Sequence, residues 1–314
     1  MSSPGVAEGR TSLDALLVGR VVAQRIDRGP SDVLFLADES DPSTVTIVAK
    51  TQRNPPRPGS DAHTLYRLHE TLALHAADGP GSAIAPRPVG WGSEPDLFAY
   101  EYSRGVPVKE RIESLAPDGR SSGAAWPVEL SALARASGAL LAGFHAALTA
   151  GAPATISVGR LHQQVRRAVV GSEPPPSDPV RSLCDSGPHN LIAGADGSVG
   201  LIDLPTDERW TFAEFDIGVL ALRLARRAAI AFHSTASAGD AHRVFTDPLC
   251  AAYAAAGREL DRAEVFASFA TASFVFAKRS LTIGHPLASL DYARRDLSWG
   301  LSSLRTGRAL ASHR

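Results

Sequence analysis

Leu183-Cys184-Asp185-Ser186-Gly187-Pro188-His189-Asn190 is the stretch on which the reading of this chain turns. A carboxylate and a side-chain amide stand five positions apart in it, within a loop rich in glycine and proline. Just beyond, Leu191–Ala193 and Val199–Ile202 read as short strands around Asp196-Gly197, a dipeptide suited to a hairpin turn. The second strand is apolar and delivers Asp203, 18 positions after Asp185. An isolated D-x₄-N is a weak signal. The same pair followed by a hairpin and an apolar strand ending in Asp is far more specific.

Transfer of a phosphoryl group asks little covalent chemistry of a protein. It asks for metal ligands, a cation on the phosphates and a group to receive a hydroxyl proton. Asp185 suits the last role, and the amide oxygen of Asn190 and the carboxylate of Asp203 are hard donors of the kind Mg²⁺ prefers. Cys184 beside them reads as a small packed residue, since no base with an orienting partner accompanies it.

Working outward, the first hundred residues are mainly β in pattern. Val21–Arg28 and Asp32–Ala37 flank the Gly29-Pro30-Ser31 turn, and Thr44–Ala49 is a β-branched run that closes on Lys50. Residues 53–60 are a Pro/Gly loop, and from Asp61 the apolar positions Leu65, Leu68, Leu72 and Ala76 recur at helical spacing, with Glu70 on another face. Pro86-Arg87-Pro88 opens a strand pair that closes at Leu97–Tyr102. Beyond Gly105 the pattern is helical. Pro127 stands where a helix can begin, and Leu130, Leu133, Ala134, Leu140, Leu141, Phe144 and Leu148 trace one stripe. From Ala213 onward the chain is helix-rich, with breaks near Gly239 and Gly284-His285-Pro286. A β-rich stretch followed by a helical one, with a hairpin inserted in the second, predicts an α+β plan divided at 1–102 and 103–314.

Composition narrows the function classes. The 314 residues are 44% hydrophobic and 21% charged with a formal net charge of -1, which is globular and gives no reason to expect nucleic acid or an anionic membrane as partner. Two cysteines, Cys184 and Cys250, make neither a disulfide framework nor a zinc site, so a reducing cytoplasm is the expected setting. Neither a signal-peptide pattern nor an uninterrupted membrane-length apolar run is expected from the sequence. Only three basic residues are lysines, Lys50, Lys109 and Lys278, against 29 arginines, which draws the eye to a lysine at the end of an apolar strand.

Together these residues resemble the aminoglycoside phosphotransferase/choline kinase family, relatives of the protein kinases, whose catalytic loop reads H-G-D-x-x-x-x-N before a strand ending in I-D. The resemblance runs from about residue 20 to 225 and implies a protein-kinase-like, two-lobed α+β fold with a β-rich N-lobe and a helical C-lobe. It implies ATP and Mg²⁺, with Asp185 as catalytic base and Asn190 and Asp203 as metal ligands. It implies Lys50 as the phosphate-binding lysine, Glu70 as its ion-pair partner on the following helix, and the stretch with Glu101 and Tyr102 as the hinge that holds adenine. His145 in Phe144-His145-Ala146 and Asp216 in Phe215-Asp216-Ile217 match two further elements, the Asp as a buttress of the catalytic loop. His145 and His189 otherwise read as structural, each meeting a local hydrogen bond.

The sequence also departs from that pattern. Leu183-Cys184 stands where His-Gly precedes the catalytic Asp, Pro205 replaces a carboxylate after Asp203, and Gly29 is the one obvious glycine of the phosphate loop, with no G-x-x-x-x-G-K elsewhere. From Ala221 to Arg314 thirteen Lys/Arg face seven Asp/Glu, the wrong sign for gripping a polycationic aminoglycoside. A neutral or anionic small-molecule acceptor, such as a metabolite or natural product, is the first expectation. The alternative is Ser/Thr of a ribosomal precursor peptide, with a partner lyase as in lanthipeptide and thioamitide pathways; a non-catalytic pseudokinase scaffold is the third.

Overall fold

The structure, a computed structural model, describes residues 9–313 except 28–30, 53–60, 78–83, 94–95, 117–125, 150, 154–155, 157–158, 172–177, 184–186, 205–208, 234–235 and 283–285. Of residues 286–289 it describes the backbone alone. Asp185, Cys184, Pro205, the turn at Gly29 and the 53–60 loop therefore lie outside the described residues.

The chain divides into two compact units. The first comprises residues 1–104 together with 200–208, the second 105–199 together with 209–314. The division read from the sequence is at 102/103. The return of 200–208 to the first unit is not visible in that division, because a short strand end carries no sign of which unit it packs on.

In the first unit a short helix, α1 (Leu13–Leu17), precedes β1 (Arg20–Asp27), β2 (Ser31–Asp38) and β3 (Asp41–Gln52). Helix α2 (Ala62–Ala77) follows, then β4 (Pro88–Ser93) and β5 (Asp96–Glu101). The five strands form one antiparallel sheet in the order β1-β2-β3-β5-β4. Alternation along β3 sorts its side chains between two cores. Ile47 and Ala49 join Leu34, Leu36 and Leu97 beneath α1, whose Leu16 seals that face. Val48 packs with Phe98, Tyr100 and the Leu65 side chain of α2 on the opposite face. Lys50 shares the period of Val48 and pairs in register with Phe98, so it lies on the α2 side of the sheet. Asp61 caps α2: its carboxylate accepts from the Thr64 backbone N–H and from the Thr64 hydroxyl, both at 2.9 Å.

The second unit opens with β6 (Val106–Pro107) and the helices α3 (Val108–Ser114), α4 (Val128–Ala147) and α5 (Arg160–Val170). It continues through the short strands β7 (Pro179–Arg181), β8 (Leu191–Ala193) and β10 (Trp210–Phe212), while β9 (Val199–Leu201) runs into the 200–208 segment of the first unit. The remainder is helical: α6 (Ala213–Ala231), α7 (Ala238–Ala241), a π-helical turn (His242–Thr246), α8 (Asp247–Ala255), α9 (Arg262–Thr282) and α10 (Pro286–Ala311). The apolar stripe expected after Pro127 is buried in α4. Gly239 does not break a helix but lies in the first turn of α7, which Ser237 and Asp240 cap reciprocally; the break comes just before it. Helices α6 and α9 meet closely at Gly218, where a Cβ would come within 2.7 Å of the Phe269 amide nitrogen. A β-rich unit followed by a helical one is the α+β, kinase-like order that the sequence predicts. Among the described residues no helix is long and apolar enough to cross a membrane.

Candidate active site

Lys50 and Asp203 stand 153 positions apart, yet the Lys50 ammonium donates to Asp203 Oδ1 at 2.7 Å. Both belong to the first unit. Strand β3 carries the lysine. The aspartate is delivered by the end of β9, where the Leu201 N–H donates to the Ile84 carbonyl at 2.9 Å and ties that segment to the same unit. The pair is partly open, with side-chain exposures of 27% for Lys50 and 48% for Asp203. An ion pair that exposed contributes only about 0–1 kcal/mol to folding. Its two charges remain accessible to a ligand.

Glu70 is not the partner that the resemblance implies for Lys50. It accepts from Arg67 at 2.7 Å, one turn away on the outer side of α2. The residue that turns inward is its neighbour His69, which is 1% exposed. His69 Nδ1 lies 2.9 Å from the Pro86 carbonyl, and its ring packs 4.7 Å from Phe98 and 5.5 Å from Tyr100. Since a carbonyl only accepts, Nδ1 carries the proton. Burial, aided by the nearby Lys50 charge, holds the ring down at about 4, against the opposing effects of the Pro86 carbonyl and Asp203. His69 was legible in principle, because it falls four residues after Leu65 and three before Leu72 on the buried stripe.

That neutrality has a measurable consequence. The folded value lies below the unfolded value of about 6.5, so the unfolded chain binds the extra proton between those limits. Stability attributable to His69 is complete above about pH 6.5 and is lost as the pH falls towards 4. Replacing His69 with Leu is expected to flatten the pH dependence of unfolding free energy in this window by about 1.4 kcal/mol per pH unit. Urea unfolding between pH 7 and 4.5 checks it, and parallel slopes for the two proteins would refute it.

The hinge stretch is committed to the sheet through its donors. The Glu101 N–H donates to the Arg87 carbonyl at 2.9 Å and the Tyr102 N–H to the Thr46 carbonyl at 2.8 Å. Neither amide is left to donate to an adenine ring.

In the second unit, the loop that carries Asp185 and Asn190 is held from both ends. On the near side Asp216, 2% exposed at the start of α6, accepts from the Ser182 hydroxyl at 2.9 Å and from the Leu183 backbone N–H. His145 of α4 completes the group: Nε2 lies 3.2 Å from Asp216 Oδ2, and Nδ1 lies 2.9 Å from the Tyr253 hydroxyl. The carboxylate fixes the tautomer, with Nε2–H donating and Nδ1 accepting from Tyr253. Burial pushes the Tyr253 phenol up and so keeps that donor protonated. His145 is structural as read from the sequence, but its partners lie 71 and 108 residues away and are not local. On the far side the Asn190 N–H donates to the Gly187 carbonyl, and the Lys109 N–H to the Pro188 carbonyl, both at 2.9 Å. The structure thus brings Lys50 to Asp203, and Asp216 to the loop end two residues before Asp185.

No protein-family model and no curated protein matches the sequence. Among solved structures, the chain is similar to an ethanolamine kinase of Plasmodium vivax, with 11% identity and a TM-score of 0.49 over 92% of this chain and 84% of that one. It is similar to a macrolide 2′-phosphotransferase type I, with 16% identity and a TM-score of 0.47 over 90% of this chain and 94% of that one. A third is an AMP-bound spectinomycin phosphotransferase, with 10% identity and a TM-score of 0.46 over 91% of this chain and 96% of that one. Each is a kinase or phosphotransferase by name, and each is distant from this chain in sequence.

Proposed function

We propose that the protein is an ATP-dependent phosphotransferase that moves the γ-phosphoryl group to a hydroxyl of a neutral or anionic acceptor. The observation that carries this reading is the Lys50–Asp203 pair, an open cation and carboxylate at 2.7 Å joining the two segments to which the sequence assigns phosphate and metal. The donor chemistry fits Mg²⁺: the Asp203 carboxylate and the Asn190 amide oxygen are hard oxygen ligands of the kind it prefers. When bound, Mg²⁺ supplies charge neutralisation to the phosphates.

The chain's own groups supply the rest. Lys50 contributes a fixed cation for the phosphate oxygens, with Asp203 beside it as metal ligand. Asp185 receives the proton of the acceptor hydroxyl as its oxygen bonds to the γ-phosphorus and the bond to the β-phosphate oxygen breaks, leaving ADP. Asp216, acting through the Leu183 N–H and the Ser182 hydroxyl, holds the backbone from which Asp185 follows. The Ser103 and Arg104 amides are the candidates for donors to adenine.

The test is calorimetric titration of the purified protein with ATP, with and without Mg²⁺, followed by measurement of ADP release. Micromolar to low-millimolar binding and Mg²⁺-dependent release are expected. Absence of nucleotide binding would reject the enzyme reading and leave the scaffold. Mass spectrometry of an added phosphate, on a metabolite panel or on a co-expressed precursor peptide, separates the two acceptor classes.

A further inference from the structure

Within the second unit a cavity of about 560 Å³ is lined, among the described residues, by five cations, Lys109, Arg223, Arg226, Arg227 and Arg279, and by no carboxylate. One wall is Gly187-Pro188-His189, the residues between Asp185 and Asn190 in the sequence. Ile230 and Phe276 supply an apolar side. The cations come from α3, α6 and α9, which are far apart along the chain.

Four of them fall into two groups by their surroundings. Arg226 and Arg227 are anchored. The Arg226 guanidinium donates to the fully buried Asp296 at 3.1 Å and lies 4.2 Å over the Phe276 ring, while Arg227 pairs with Glu113 of α3. Lys109 and Arg279 are exposed, and neither has a carboxylate at ion-pair distance among the described residues. Held guanidiniums behind and two unneutralised cations in front make a site for an anion rather than a set of solvated helix faces. The volume suits a small organic molecule.

We infer that this cavity is the acceptor subsite, and that the acceptor is a small hydroxylated molecule bearing a phosphate or carboxylate group held by Lys109 and Arg279. The inference rests on the phosphotransferase reading and narrows it. An amino alcohol or polyamine cation is disfavoured there, because it would meet the like charges of Lys109 and Arg279.

Glycerol 3-phosphate, citrate, glycerol and hexaglutamate are the probes, titrated calorimetrically without nucleotide into the wild-type protein. The same titrations are run on a Lys109→Gln/Arg279→Gln double variant and on Arg305→Ala, which removes an exposed charge outside the cavity. Glycerol 3-phosphate or citrate is expected to bind wild type and Arg305→Ala alike, and at least tenfold more weakly to the double variant. Glycerol is expected not to bind. Equal binding to the double variant places the anion elsewhere and overturns the inference. Absence of binding by both anions overturns it as well, and binding of hexaglutamate alone replaces the small molecule with an acidic peptide. Nucleotide titration of the same samples keeps the two readings apart. Nucleotide binding without anion binding rejects this subsite only; anion binding without nucleotide binding rejects the phosphotransferase and leaves an anion-binding protein.

Discussion

Replacing Asp203 with Ala is expected to lower Mg²⁺-dependent ATP turnover by about 10²–10³-fold, the scale on which removing one group that stabilises transition-state charge is felt. The substitution acts twice. It removes a hard oxygen donor, and it leaves the Lys50 ammonium without the carboxylate it contacts at 2.7 Å. Its effect on folding is small by comparison. With 48% of the Asp203 side chain and 27% of the Lys50 side chain exposed, the pair contributes about 0–1 kcal/mol. The expected signature is therefore a collapse of ADP release with a urea midpoint close to wild type. Asp203→Asn should sit between the two proteins, since an amide oxygen still ligates but the charge is gone. Turnover within tenfold of wild type in Asp203→Ala would remove Asp203 from the metal site and with it the main support for phosphotransfer.

The first unit was largely legible because its signals are local. Alternation and turn residues place β1 to β3, and Thr44–Ala49 running into Lys50 lies within β3 as read. The Leu65–Leu72 stripe gives α2 both its axis and its phase, with His69 on the buried face and Glu70, about 100° further round, on another; the pairing of Glu70 with Lys50 came from the resemblance and not from the periodicity. Leu97–Glu101 lies in β5, yet which amides at its end the sheet already uses depends on the register with β3 and on the Arg87 carbonyl, neither of which periodicity encodes. The cationic cavity was visible only as a surplus of thirteen cations over seven acids in the last 94 residues. Its assembly from Lys109, the Arg223–Arg227 turn and Arg279 is a matter of tertiary packing. The motif at Asp185, where the sequence is most specific, lies outside the described residues, and its anchoring is seen through Leu183 and Asn190.

That anchoring carries the second large expectation. Asp216→Ala removes the acceptor for three donors at once, the Ser182 hydroxyl, the Leu183 N–H and His145 Nε2–H, in a site that water does not reach. A buried donor left unsatisfied costs about 1–3 kcal/mol, and the group as a whole is expected to cost about 3–5 kcal/mol of unfolding free energy. Asn at the same position can rebuild most of it. An amide oxygen at the Oδ2 position accepts from Leu183 and His145, while an NH₂ at the Oδ1 position donates to the Ser182 hydroxyl, which is free to turn and accept. Asp216→Asn is therefore expected to lose only about 1–2 kcal/mol, the difference between charged and neutral hydrogen bonds. The functional contrast should be wider than the thermodynamic one. Leu183 is two residues before Asp185, so freeing its N–H lets the base drift, and an error of about 1 Å can cost about 10²-fold in rate. At a temperature where both variants remain folded by circular dichroism, turnover should fall at least about 10²-fold in Asp216→Ala and less than about tenfold in Asp216→Asn, with nucleotide affinity unchanged in both. Equal turnover in the two would mean that the carboxylate group stabilises the helical unit without positioning the loop.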